Sequence, residues 1–289
     1  MYRRCAKVRN RRIIIMAKLR KQNIFNTTTA AIKFVLFWVM VVVQLPIICL
    51  LPTGSRLSIR YMPIFMWFLV KLAGIKIVVH GKLSDVRPLM VVSNHISVFE
   101  LATFPLAFGG SFIAKKEMEH WPLVGWVAKK FGVIFVDRRP SHARDALAVV
   151  QKTVQNVKYP MILFPEGTTT NGAYVKPFKS SLFNFVENSN VTVQPMVMHY
   201  RYKDGSVIDE QTMADHFAYF DNKKMDMGPL CKRERSAFGQ VFHIMMLGGF
   251  MVEITLLPPP PLGGMDRKQI ADVLQKIVSD KYMELKDKK

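Results

Sequence analysis

The sequence is poor in several things, and each shortage narrows the reading. Cysteine occurs three times in 289 residues, at Cys5, Cys49 and Cys231. Their odd number and wide spacing exclude a disulfide framework and a zinc-binding spacing, and predict three reduced thiols in a cytosol-facing chain. The hydrolase elbow G-x-S-x-G is missing, which argues against a serine lipase of the α/β-hydrolase type. So is the phosphate loop G-x4-G-K-[ST], which argues against an ATP-driven enzyme. No segment repeats.

The most uneven shortage is of acid. Residues 1–84 contain fifteen Lys/Arg and no Asp or Glu; Asp85 is the first acidic residue. Residues 85–289 hold twenty-six basic and twenty-one acidic side chains, so three quarters of the net +20 lies in the N-terminal third. A block of this kind fits nucleic acid or an anionic membrane surface.

The neighbouring hydrophobicity decides for the membrane. Residues 34–51, FVLFWVMVVVQLPIICLL, form an eighteen-residue run without a charge, close to the length of a bilayer span. Nine Lys/Arg precede it in residues 1–21, as expected of a cytoplasmic flank. A cleaved signal peptide fits less well, because the apolar run is long, starts late and lacks a small-x-small site after it. A second apolar stretch, YMPIFMWFLV at 61–70, continues to Ile75, and LPTGSRLSIR with its Pro52 and Gly54 breakers lies between the two. The pattern predicts a two-helix membrane hairpin over 34–75, behind a basic arm over 1–33. Trp38 and Trp67 are placed for the lipid interface. No nucleic-acid partner is expected.

From 76 to 289 the pattern becomes that of one α/β domain. Short β-branched runs at 75–80, 89–93, 111–115, 132–137, 160–164, 191–199 and 251–257 are candidate strands. Candidate helices lie at 99–108, 119–131, 141–157, 178–188 and 266–285. Alternation of this sort predicts a largely parallel central sheet, and the continuously apolar strands predict helices covering both of its faces. The polar stretch 203–235 reads as an insertion, and LPPPPLGG at 257–264 as a stiff connector.

Five short stretches can carry chemistry. SNHISVFE places His95 just after a strand and Glu100 five residues on. In a continuous helix those side chains would diverge by roughly 140°. With His95 in the strand-to-helix turn instead, the acid of the first helical turn can reach back to the imidazole as base and orienting carboxylate. FPEGTTTNG after the strand at 160–164 offers backbone N–H groups and hydroxyls to an anion. GVIFVDRR ends on two arginines suited to bidentate phosphate recognition. KPFKSSLF sets Lys179 at the opening of a helix. In VTVQPMV, Pro195 predicts an edge strand or a bulge.

In their order these blocks resemble the glycerophosphate/lysophosphatidate acyltransferase family, the PlsC-like group. Its members carry N-H-x4-D, then F-[IV]-x-R, then F-P-E-G-[ST], then V-x-P; this chain has NHISVFE, VIFVDRR, FPEGT and VQP over about 105 residues. The resemblance implies that His95 is the catalytic base and Glu100, in place of the usual Asp, its orienting acid. It implies that Arg138 grips an acceptor phosphate, that Glu166, Gly167 and Thr168 belong to the acceptor site, that Lys179 lies near that phosphate, and that Pro195 belongs to the block associated with the acyl donor.

The implied reaction moves a fatty acyl group from acyl-CoA or acyl-carrier protein to the free hydroxyl of a lysophospholipid. The first choice of acceptor is 1-acylglycerol-3-phosphate, giving phosphatidic acid; a lyso-ornithine lipid or another lysolipid is the alternative. No metal and no cofactor beyond the donor substrate is required. The expected site of action is a membrane, the inner one in a bacterium, with the catalytic domain facing the cytoplasm. A third reading is a non-catalytic membrane-surface or nucleic-acid-binding protein.

Overall fold

A computed structural model describes residues 27–136, 143–187, 189–208, 212–213, 237–246 and 248–288. Seven strands form one sheet: β1 (Lys76–His80), β2 (Leu89–Ser93), β3 (Ser111–Lys115), β4 (Ile134–Val136), β5 (Met161–Leu163), β6 (Thr192–Arg201) and β7 (Met251–Leu256). Their spatial order is β1-β7-β6-β2-β5-β3-β4. All neighbours pair in parallel except β6 with β7. Seven strands were expected, and all seven form at those places. β2 and β5 are buried at every residue, which is why LMVVS and MIL are unbroken apolar runs.

The helices are α1 (Thr27–Leu50), α2 (Arg56–Ala73), α3 (Glu100–Phe108), α4 (Val124–Lys130), α5 (Ala143–Asn156), α6 (Ala237–Met246) and α7 (Arg267–Asp287). α7 starts on a capping box, with Asp266 accepting from the N–H groups of Lys268 and Gln269 while the Gln269 side chain returns to Asp266. Its stripe of Ile270, Ala271, Leu274, Val278 and Tyr282 is buried, the spacing of an amphipathic helix on a sheet.

Two candidate helices differ from expectation. The segment 119–131 is split into a 3-10 turn, Lys116–His120, and α4. Pro122 lacks an N–H and Leu123 adopts a positive φ of 62°, so a continuous helix cannot pass. Gly125 sits so close to the carbonyl of Glu119 that a Cβ would lie 2.1 Å from its oxygen. Among the described residues of the expected helix 178–188, a 3-10 turn forms at Ser180–Phe183. Leu182, Phe183, Phe185 and Val186 are all buried there.

Pro195 is also placed differently. It lies inside a ten-residue interior strand flanked by β2 and β7, not on an edge or in a bulge. It is tolerated because registered pairing with β7 begins one residue later, at Met196 opposite Leu256, and its carbonyl still accepts the Leu257 N–H at 3.0 Å.

One described helix, α1, is long and apolar enough to cross a membrane. Its Val41 and Ile48 join the core and Ala30 is buried, while Val35, Leu36, Val39, Val42, Val43, Ile47 and Leu50 are exposed. α2 is amphipathic. Met62, Phe65, Met66, Val70 and Ala73 are buried, whereas Leu57, Ile64, Trp67 and Phe68 are exposed. The Tyr61 hydroxyl donates to Gln44 Oε1 at 2.9 Å, joining the two helices. At the turn between them, Lys130 Nζ donates to the carbonyls of Cys49 and Leu51.

Candidate active site

The adjacent parallel strands β2, β5 and β3 all point their C-terminal ends at one edge of the sheet, where open α/β sheets gather ligand-binding loops. β2 delivers Asn94 and His95. β5 delivers the loop from Phe164 to Gly172. β3 delivers Lys115.

His95 lies in the turn between β2 and α3, and Glu100 is the first residue of α3. That arrangement removes the rotational obstacle of a continuous helix. Glu100 Oε2 lies 2.5 Å from His95 Nδ1. The other oxygen, Oε1, accepts from the backbone N–H of Ile96 at 2.8 Å, the N–H of Ser97 at 3.0 Å and the Tyr200 hydroxyl at 2.9 Å. Glu100 is fully buried, while the His95 side chain keeps 16% of its surface exposed. A buried carboxylate on Nδ1 fixes the tautomer whose Nε2 accepts a proton.

The loop after β5 holds the histidine's backbone. Glu166 Oε1 accepts the His95 N–H at 2.7 Å and Oε2 accepts the Lys176 N–H at 2.9 Å. Thr170 N–H donates to the His95 carbonyl at 2.9 Å. Asn94 completes the frame, its side chain donating to the Met198 carbonyl and accepting the Met198 N–H, both at 2.9 Å. The imidazole stacks on Phe164 with ring centres 4.2 Å apart. Burial pushes the Glu166 carboxyl up to about 8, opposed by its two N–H donors.

A cavity opens beside His95, walled by Lys115, Phe164, Gly167, Thr168 and Thr169 together with Val98, Leu101, Met118 and Trp121. Those last four side chains also wall a second cavity, which runs between α1, α2, α3 and α4 and is lined by Phe37, Trp38, Phe65, Leu69, Ala128 and other apolar residues. The volumes are about 70 Å³ beside His95 and about 210 Å³ in the apolar space. Of the two, the larger and more apolar space is the better match to an aliphatic group.

The expected site residues divide accordingly. His95 and Glu100 are in contact, and Gly167 and Thr168 wall the same cavity. Glu166 is adjacent but buried, with both oxygens turned to backbone donors. Lys179 is exposed before the 3-10 turn and does not wall the cavity. Arg138 lies outside the described residues, two positions past the end of β4. Lys115, Trp121 and Tyr200 were not singled out by motif. Lys115 could have been found as the last residue of a strand parallel to the two that carry the motifs.

A family model described as Acyltransferase matches residues 76–199. A lyso-ornithine lipid O-acyltransferase of Pseudomonas aeruginosa is 29% identical over 246 residues, covering 83% of this chain and 84% of that protein. A 1-acyl-sn-glycerol-3-phosphate acyltransferase of Neisseria gonorrhoeae is 27% identical over 133 residues, covering 44% of this chain and 49% of that protein. The crystal structure of PlsC, the 1-acyl-sn-glycerophosphate acyltransferase of Thermotoga maritima, superposes with a TM-score of 0.57 at 18% identity, covering 93% of this chain and 98% of that one. At that identity the likeness is one of fold.

Proposed function

We propose that this chain, whose residues 76–199 match the acyltransferase family model, is a PlsC-type acyltransferase that acylates the free hydroxyl of a lysolipid at a membrane surface. One observation carries the reading: His95, backed by Glu100, faces a small cavity bordered by Lys115, Thr168 and Thr169 that shares a wall with a larger apolar one. A thioester donor places its acyl chain in the apolar space and its carbonyl beside His95. His95 Nε2 takes the proton of the acceptor hydroxyl as that oxygen attacks the carbonyl carbon. Glu100 stabilises the imidazolium. The tetrahedral adduct collapses, the carbon–sulfur bond breaks, and the departing thiolate takes the proton from His95. The products are an ester and a thiol, with acyl-CoA or acyl-carrier protein as the donor.

For the acceptor, 1-acylglycerol-3-phosphate is the first reading. Lys115 in the cavity wall supplies a cation for its phosphate, and Arg138, by resemblance, supplies a bidentate grip. A lyso-ornithine lipid is the second reading, favoured by the likeness to the Pseudomonas aeruginosa enzyme along most of both chains. The remaining assignments are domain limits at 1–33, 34–75 and 76–289, and a pair of apolar helices dipping into one leaflet with the catalytic domain on the cytoplasmic side.

The test is thiol release by the detergent-solubilised chain, with acyl-CoA and acyl-carrier protein offered in turn against both acceptors. Turnover of either lysolipid supports acyl transfer, and the preferred one settles the headgroup. Thiol release that no lysolipid accelerates would overturn the reading. Arg138→Ala should raise the KM for 1-acylglycerol-3-phosphate far more than that for the donor; equal effects on both would remove Arg138 from the headgroup site.

A further inference from the structure

Glutamate at position 100 has one methylene more than the aspartate usual in the resembling family, and so one more torsion to be fixed. The structure fixes it at Oε1, which takes three donors, and leaves Oε2 for His95. Two of the donors are backbone N–H groups of the 95–100 turn itself. The third is the hydroxyl of Tyr200, one hundred residues away on β6. Tyr200 is completely buried, and Ser97 hydrogen-bonds to the same phenol. Burial, with the Glu100 carboxylate beside it, pushes the phenol well above its ordinary value, so it is a donor throughout the working range. Phenylalanine would fill this core site equally well as a hydrocarbon, and a buried hydroxyl costs free energy unless bonded. The bond it makes is to the acid of the dyad.

We propose that Tyr200 is a positioning residue for acyl transfer, anchoring the longer Glu100 side chain so that its second oxygen meets His95. The inference rests on the acyl-transfer reading for its kinetic consequences. Two effects follow from the geometry. The hydroxyl holds the carboxylate in one rotamer. By taking up part of its charge, it also makes Glu100 a weaker counter-charge for the imidazolium.

Tyr200→Phe is the test, because it removes one oxygen and keeps the ring. The kcat should fall by roughly 10-fold, in line with losing one hydrogen bond to a charged group, with the donor KM near wild type. The acid limb of the kcat/KM profile should move to higher pH by up to about one unit, since the unshared carboxylate holds the imidazolium more firmly. In a Glu100→Asp background, where the acid is too short to reach the phenol, Tyr200→Phe should have little further effect. Site-specific 3-fluorotyrosine at 200, a stronger donor of nearly the same size, should move the acid limb the opposite way and serves if the Phe variant does not fold.

The Nδ1 proton resonance of His95, read by NMR without turnover, should shift downfield in Tyr200→Phe. This separates failure here from failure of the acyl-transfer reading, which is read from His95→Ala. An unmoved profile and an unmoved resonance would overturn the proposal. So would a loss from Tyr200→Phe that is equal in the wild-type and Glu100→Asp backgrounds.

Discussion

Glu100 reaches His95 from the first residue of α3, placing Oε2 2.5 Å from Nδ1 across a five-residue turn. The acid and the base are thus positioned by different kinds of constraint. The histidine is held through its backbone by Glu166 and Thr170; the glutamate is held through its side chain. His95→Ala should therefore cost about 10²–10⁴ in kcat, the range for losing a general base, with the melting temperature little changed. Glu100→Gln should lose nearly as much, because its amide must face either a backbone N–H or the imidazole. Glu100→Asp should keep part of the activity, as the shorter acid stays with His95 and loses Tyr200. Steady-state acyl transfer with circular dichroism on each variant checks this. Wild-type turnover by His95→Ala would refute the mechanism.

A second histidine predicts a stability effect. His199 faces α7 from β6 and is 2% exposed, and its Nδ1 has no hydrogen-bond partner among the described residues. Burial first, and Arg201 second, lower it from 6.5 to about 4, with Glu253 opposing and Lys286 adding to the decrease. The unfolded chain therefore binds a proton between about pH 6.5 and pH 4 that the folded chain refuses. The stability contributed by the neutral imidazole is present above pH 6.5 and is lost as pH falls toward 4, by about 3 kcal/mol in all. Thermal melts should show the wild type losing stability between about pH 7 and 4.5 more steeply than His199→Gln. Parallel curves for the two proteins would exclude this.

Much of this arrangement was legible in the sequence because its signals are local. β2, β5 and β6 read as strands since burial on both faces demands unbroken apolar runs, and the NH…E and FPEGT stretches follow two of them directly. Interactions that depend on tertiary pairing left no such trace. Tyr200 meets Glu100 only because β6 lies beside β2. The resemblance puts Glu166 in the acceptor site, and the fold turns both of its oxygens to backbone donors. Pro195 reads as an edge signal, and becomes an interior residue because β7 starts to pair just beyond it. Arg138 lies outside the described residues, so its place in the site stays with the resemblance.

The apolar cavity predicts chain-length discrimination. Ala128 on α4 walls it without being fully buried, so a larger side chain can enter the cavity with limited strain on the core. Ala128→Phe should shift the preference toward shorter acyl donors, raising the KM for long-chain thioesters while leaving short-chain turnover near wild type. Competition between short- and long-chain acyl-CoA reads this directly. An unchanged ratio would place the acyl chain elsewhere.

The last prediction concerns how the molecule meets the bilayer. α1 has the length and composition of a span, yet only one side of it is free. Ala30, Val41 and Ile48 are buried against the rest of the chain, Phe34 packs on Phe242, and Phe37 and Trp38 wall the apolar cavity. We expect these contacts to hold α1 beside the catalytic domain, within one leaflet, rather than across the bilayer. Its exposed Val and Leu, with Leu57, Ile64, Trp67 and Phe68 of α2, suit insertion into one leaflet. Apolar insertion resists salt, whereas attraction of the basic arm, worth about 1 kcal/mol for each Lys/Arg near the surface, is screened. The protein should therefore stay with membranes at about 1 M salt, where the Debye length is near 3 Å, and should need detergent for release. Residue 1 and the catalytic domain should lie on one face. In a Cys49→Ser background, an impermeant thiol reagent applied to sealed vesicles should label Cys5 and Cys231 together or not at all. Labelling of one from outside and the other only after lysis would mean that α1 crosses the bilayer, and would overturn the one-leaflet arrangement while leaving the acyl-transfer chemistry intact.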